Sequence, residues 1–321
     1  MTRMTYRFAA ILILALPVMA LGTPFTLQEE DGRVIARWHG PMSELALEAP
    51  IDDDLAALRE HPGIEIVEIR GCSIINGSGF QALKALPKLT TLRLIGVSPE
   101  PGGELFDGDL AGYRALAELD QLKHVSFDQV QVSTPGAVLM LEKMDQLESF
   151  RPGCAANDAL IIAASLAGNL RVLEFGDWPT VPAGAVTIEG FSHYGFMVEL
   201  KHLGTGVQAP GDAEPRLIFE TLSQLNELEK LEFALGGPMK QEEMKGNELP
   251  PLDEAELQPL SRLKQLSQVT MKHTLFGETG LQVFVELPGL QRLELDQCHF
   301  SEIDLALLRE TLPNLKVIVQ D

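Results

Sequence analysis

Apolar residues recur along the chain in a fixed phrase. Ile64, Val67, Ile69, Cys72 and Ile74 follow the spacing LxxLxLxxCxL, and Leu290, Leu293, Leu295, Cys298 and Phe300 repeat it near the other end. Leu89, Leu92, Leu94, Val97 and Leu122, Val125, Phe127, Val130 are further copies. Weaker ones begin at Met42, Leu147, Leu170, Leu228, Leu266 and Leu315, with a degenerate candidate at Met197, and the best-spaced starts lie 23 to 25 residues apart. Within a copy the fourth and sixth positions alternate with polar residues, so each predicts a short strand that buries one face and shows the other. Between strands the apolar spacing changes to three and four, as in Leu305, Leu308, Leu312, which predicts a short amphipathic helix.

Helix starts are expected at Thr134 before Pro135, at Ser301 with Asp304 three residues on, at Asn157 and at Asp253. One strand-helix unit cannot cover its own apolar face, whereas a stack of units forms a continuous core. Ahead of the array, Phe25 to Gln28 and Arg33 to Trp38 flank Glu30, Asp31 and Gly32, a hairpin signal expected to cap the first repeat. No capping segment is visible after Val319, which leaves a strand edge to be accounted for, by pairing with another chain for example.

Stretches such as GSGFQALKALPKLTTLRL (Gly77 to Leu94) and LPGLQRLELDQCHFSEIDLALLRETLPNLKVI (Leu287 to Ile318) resemble the leucine-rich-repeat family, in particular its cysteine-containing-like bacterial variety. The resemblance runs from about Met42 to the C-terminus. It implies an α/β solenoid, a horseshoe with a parallel sheet on the concave face and helices on the convex face. It departs from the pattern between Trp178 and Arg216. The expected organisation is a signal peptide over residues 1–22, a hairpin cap over 23–41 and the solenoid over 42–321.

The signal peptide follows from Arg3 and Arg7, the apolar run Phe8 to Leu21 and the small residues Ala20 and Gly22. Cleavage is expected after Gly22, with Ala20 as the alternative. The run is too short for a bilayer-spanning helix, which needs roughly 20 apolar residues, and Pro17 breaks it, so export without stable membrane insertion is expected. Formal charge is −21, and −23 without Arg3 and Arg7. Phosphate backbones repel such a chain, so nucleic acid is not an expected partner. Three cysteines cannot all pair internally. Cys72 and Cys298 occupy the same repeat position about eight strands apart at ~4.8 Å per strand, so free buried thiols are expected.

The candidate partner-binding surface is the exposed strand face: Glu68, Arg70, Arg93, His124, Asp128, Arg151, Glu174, Lys230, Glu232, Lys272, Arg292, Glu294 and Asp296. Its mixed signs suit a protein or peptide. A second candidate is a loop rim, since insertions follow the strands at Leu92, Leu173 and Leu231, over Ser98 to Gly108, Gly176 to Gly195 and Ala234 to Leu252. The middle one carries Trp178, Phe191, His193 and Tyr194 as aromatic surface, although Trp178 shares the repeat position of Cys72 and Cys298, which favours packing at the turn.

Catalytic arrangements fare worse. His124, Ser126 and Asp128 alternate on one strand, but a hydrolytic triad needs His between the other two, and here Ser lies between. Asp52, Asp53 and Asp54 lack the spacing of a calcium loop and suit a helix start. His193, Tyr194 and His202 are too scattered for a zinc site, and Gly77-Ser78-Gly79 and Gly204-Thr205-Gly206 read as loop glycines. Asn76-Gly77-Ser78 is a glycosylation sequon that matters only in a cell that glycosylates it. The expectation is therefore a non-enzymatic binding scaffold with no cofactor. The alternative is an envelope protein that self-associates, and a hydrolase comes third.

Overall fold

A computed structural model describes residues 25–39, 51–71, 78–96, 110–130, 132–154, 156–175, 186–207, 215–235 and 251–320. The signal segment, Cys72, Trp178, Asn76 and Gly77 of the sequon, the whole of the first inserted loop and residues 176–185 and 236–250 of the other two lie outside the described residues. Twelve strands form one open sheet whose spatial order is the order of the chain. They are β1 (Phe25–Glu30), β2 (Arg33–His39), β3 (Ile66–Arg70), β4 (Thr91–Ile95), β5 (His124–Asp128) and β6 (Ser149–Arg151). The sheet continues with β7 (Val172–Glu174), β8 (His202–Val207), β9 (Lys230–Leu235), β10 (Gln268–Lys272), β11 (Arg292–Asp296) and β12 (Lys316–Gln320).

β1 and β2 are antiparallel, joined through Asp31 and Gly32 at φ of +51° and +75°, the left-handed pair that a tight hairpin requires. Every later pair, from β2–β3 to β11–β12, is parallel. The hairpin is thus more than a lid: β2 pairs with β3 as a strand of the same sheet.

The helices lie between consecutive strands: α1 (Ile51–Ala57), α2 (Leu110–Ala117), α3 (Thr134–Lys143), α4 (Asp158–Leu166), α5 (Ile188–Ser192), α6 (Pro215–Leu222), α7 (Glu254–Leu257) and α8 (Glu302–Thr311). Tight 3-10 turns, such as Ser78–Ala85 and Gly280–Glu286, replace or extend them where a repeat is short. From β3 to β11 the strand residues that point at the helices are buried, among them Val67, Ile69, Leu92, Leu94, Phe127, Phe150, Leu173, Leu231, Phe233, Val269, Met271, Leu293 and Leu295.

Each return from helix to strand is built the same way. The first residue of the phrase donates its N–H three residues back, as in Leu122 to Leu119, Leu170 to Ala167, Leu228 to Leu225 and Leu290 to Leu287. The next residue then bonds the preceding repeat: Thr90 to Glu65, Lys123 to Thr90, Glu148 to Lys123, Arg171 to Glu148, Lys201 to Arg171, Glu229 to Lys201, Ser267 to Glu229 and Gln291 to Ser267. This ladder fixes the register. Strand exits are more varied, and several turn through a left-handed residue: Gly71, Gly96, Gln129, Gly153, His273 and Gln297. At Gly153 a Cβ would sit 2.4 Å from the Val130 carbonyl oxygen, so no larger residue fits.

α3 begins at Thr134 as expected, and the arrangement at the start of α8 departs from expectation. The N-cap of α3 is Ser133, whose Oγ accepts the Gly136 N–H at 3.2 Å, one residue before Thr134. Asp304 does not reach back to Ser301; it is buried and accepts the Leu281 N–H at 2.8 Å and the Gln282 amide, tying α8 to the previous repeat. Asn157 caps α4 through the Leu160 N–H, and Glu256 reaches back to the Asp253 N–H at the start of α7. Asp54 accepts the Trp38 indole N–H at 3.2 Å, so one carboxylate of the Asp52–Asp54 run anchors the hairpin; the side chains of Asp52 and Asp53 lie outside the described residues.

Candidate functional site

The sheet face turned away from the helices is the concave face of the solenoid. Register aligns its side chains into rows, and the central row reads Arg37, Glu68, Arg93, Ser126, Arg151, Glu174, Gly204, Glu232, Thr270, Glu294, Ile318. Opposite charges in this row and its flanks meet one another rather than standing free in solvent.

Two networks result. At the N-terminal end Glu68 holds three guanidinium groups: Arg70 at 2.7 Å, Arg37 at 3.2 Å and Arg93 at 3.6 Å. Its side chain is only 2% exposed, so the solvated Glu68 expected from sequence is instead an enclosed carboxylate. Burial pushes its pKa up, and the three arginines outweigh that, holding it below the usual carboxylate range. Arg37 also clasps Glu30 with both terminal nitrogens, at 2.7 and 2.9 Å, which ties the hairpin into the row.

The second network centres on Glu174. Arg151 pairs with it from β6, His202 Nε2 lies 2.6 Å away on β8, and Lys230 lies 3.6 Å away on β9. Lys230 is 3.9 Å from Glu232, which in turn pairs with Lys272 on β10 at 2.6 Å. Burial raises the Glu174 pKa, but His202, Arg151 and Lys230 together hold it below the ordinary value. Arg292 and Glu294 form a further pair on β11 at 2.7 Å. Asp296 lies in register with Lys272.

Between the networks sits a less charged interval on β5. His124, Ser126 and Asp128 alternate along it, half-buried, with Val125 and Phe127 facing the core. Burial lowers the pKa of His124, and Arg33, Arg93 and Lys123 act the same way against Glu148. The Ser126 hydroxyl is enclosed and has no hydrogen-bond partner among the described residues. No sequence of His–Ser–Asp contacts links the three.

The structure thus gathers Arg70, Arg93, Arg151, Glu174, Lys230, Glu232 and Lys272 into networks and sets His124, Asp128, Arg292 and Asp296 on the same face. Tyr194 is not part of it. It is fully buried, with its hydroxyl 2.7 Å from Thr205 Oγ1 and its ring edge-on to the buried Phe191. Of the aromatic surface expected there, Phe191 and Tyr194 are core and His193 is half-buried, because α5 begins at Ile188 and closes the inserted loop seven residues before Gly195. Gly204-Thr205-Gly206 is strand rather than loop, the middle of β8.

Sequence reasoning also missed Arg37 and His202 as members of the face. The degenerate phrase at Met197 was the available signal for His202. Counted from Met197, however, the phrase turns His202 inward; in the structure it begins three residues later, at Leu200, which sets Leu203 and Thr205 inward and His202 outward.

Away from the sheet, the most exposed large apolar side chains among the described residues are Ile303 at 81%, Leu166 at 77% and Phe196 at 70%. No described helix is long and apolar enough to cross a membrane. Cys154 is buried and Cys298 half-buried; both are unpaired.

Neither a protein-family model nor a curated protein matches the chain by sequence. Solved structures do match in shape. An internalin from Listeria monocytogenes superposes over 83% of this chain and 70% of its own, at 15% identity and a TM-score of 0.50. A protein from Bacteroides fragilis covers 88% of this chain and 72% of its own, at 13% identity and a TM-score of 0.52. At such identities the likeness is one of architecture, and together with the repeated register of strand, turn and helix it establishes that the chain has the leucine-rich-repeat fold.

Proposed function

We propose that this chain is an exported, non-catalytic scaffold that binds a protein or peptide partner on its concave face. The observation that carries the reading is the charge row from Arg151 through Glu174, Lys230 and Glu232 to Lys272, held in register across five strands. Charges that are already paired need little reordering when a partner arrives, which lowers the entropic cost of binding, and they discriminate among partners by position. Export is supported by Arg3, Arg7 and the apolar run Phe8 to Leu21. The row offers hydrogen-bonding and charged groups to a polypeptide of mixed sign, and the net acidity of the chain disfavours nucleic acid.

The test is affinity capture from the exported fraction of the source cells with wild-type protein, Arg151→Glu, Lys272→Glu and a distant control, Arg309→Glu. A captured protein that is retained by the control and lost by both row variants, at unchanged melting temperature, is the expected result. Equal capture by all four proteins would move the site off this face. N-terminal sequencing of the exported protein checks the leader separately, with Thr23 expected first.

A further inference from the structure

The two ends of the sheet differ in chemistry. At the first edge, β1 carries Gln28, Glu29 and Glu30, and charged side chains on an edge strand discourage further pairing. At the other, β12 reads Lys316, Val317, Ile318, Val319, Gln320, and among the described residues nothing pairs with its outer side.

Its backbone is half used. Lys316 donates its N–H to Gln291, and the Gln320 carbonyl accepts from Gln297, so residues 316, 318 and 320 turn their peptide groups toward β11. By alternation Val317 and Val319 turn theirs outward. Val317 and Val319 stand in register with Leu293 and Leu295, which are fully buried one strand earlier. Val319 is 39% exposed, and on the adjoining helix Ile303 and Leu307, one turn apart, are 81% and 48% exposed.

We propose that β12 pairs antiparallel with β12 of a second copy, joining two solenoids end to end about a two-fold axis at Ile318. The pattern is self-complementary. With Ile318 on the axis, Val317 of each copy stands opposite Val319 of the other, and these are the residues whose N–H and C=O groups point outward, so each such pair exchanges two hydrogen bonds. Lys316 then falls opposite Gln320, so unlike rather than like groups meet on the concave side. Parallel self-pairing would instead stack Lys316 on Lys316. The same approach brings together Ile303 and Leu307 of each copy, which no described residue covers. This association goes beyond the concave-face reading and is read out independently of it.

Sedimentation equilibrium of the wild-type protein over a wide concentration range tests the pairing. The expected species is a dimer. Ile318→Lys places two ammonium groups on the axis, and Val319→Pro removes an outward N–H that the monomer does not use; each should sediment as a monomer with the circular dichroism of the wild type. Amide exchange gives a second measurement that needs no variant, with the Val317 and Val319 N–H groups protected in wild type at high concentration and exchanging freely on dilution. A wild-type monomer at the highest attainable concentration overturns the proposal, as do unprotected Val317 and Val319 amides, dimers that survive both substitutions, or open-ended particles, which would indicate pairing between β1 and β12.

Discussion

The carboxylate of Glu174 on β7 lies 3.6 Å from the ammonium of Lys230 on β9, although β8 runs between them. Neighbouring strands stand ~4.8 Å apart, so the contact crosses a full strand. It exists because Gly204 has no side chain: a Cβ built there would lie 3.1 Å from Glu174 Cγ. The missing side chain is what permits three strands to share one carboxylate.

Gly204→Val should therefore push Glu174 off Lys230. The expected cost is about 1–2 kcal/mol in urea denaturation, with the Glu174 pKa moving up toward the ordinary value in a carboxyl NMR titration. In a Glu174→Ala background the same substitution should cost distinctly less. Equal costs in the two backgrounds would show that the glycine matters for β8 alone.

Acid should destabilise the protein in two stages. Burial lowers the His124 pKa in the folded state, so its contribution is intact above the unfolded value of about 6.5 and is lost as pH falls through the lowered folded value. Glu68 and Glu174 are likewise held low, so theirs is intact above about 4.3 and is lost as pH falls through their folded values. Urea midpoints measured across this range should show both steps. His124→Gln should remove the first, and Glu174→Gln should shrink the second. A profile unchanged by either substitution would mean that other groups set the acid limit.

Tyr194 and Thr205 form a buried hydroxyl pair where other repeats place an aliphatic or aromatic side chain, as Phe127 and Phe233 do on their strands. Tyr194→Phe leaves the Thr205 hydroxyl buried without this partner and should cost about 1–2 kcal/mol. Adding Thr205→Val should recover part of that loss. Denaturation of the single and double variants decides, and strict additivity would argue against the pair acting as a unit.

The thiols of Cys154 and Cys298 should be inert in the native protein. Burial pushes Cys154 up to about 12 and Cys298 up to about 11, so neither forms appreciable thiolate at neutral pH. Mass spectrometry after iodoacetamide should find both unmodified in buffer and both modified in denaturant. Rapid native labelling of Cys154 would contradict its placement in the core.

The strands were legible because their signal is local. Val67 and Ile69, or Leu293 and Leu295, alternate with charged residues, and that alternation survives any tertiary context. β8 was nearly lost because Thr205 follows Leu203 on its inward side and Gly204 and Gly206 follow His202 on its outward side, so hydropathy alternates only weakly. The fate of Tyr194 depended on where α5 begins, and the Thr187 hydroxyl that caps it through the Gly190 N–H is a weak cue beside the proline and glycine upstream. The concave residues were placed correctly by position, yet their pairing was not readable. Whether Glu68 is solvated or enclosed depends on Arg37, 31 residues away in a hairpin whose register with β3 no periodicity specifies.

The ladder of bonds at the strand entrances has a consequence for protein engineering. On that side every repeat closes through the same short turn, and each links directly to the repeat before it, so adding or removing a residue there would throw all later rows of side chains out of step. The strand exits obey no such rule: the connections from β4, β7 and β9 to the next helix differ in length while the strands around them stay aligned. Foreign peptides should accordingly be grafted at the exits, where the solenoid already absorbs variation in length, and an entrance such as Leu119 to Leu122 should be left untouched.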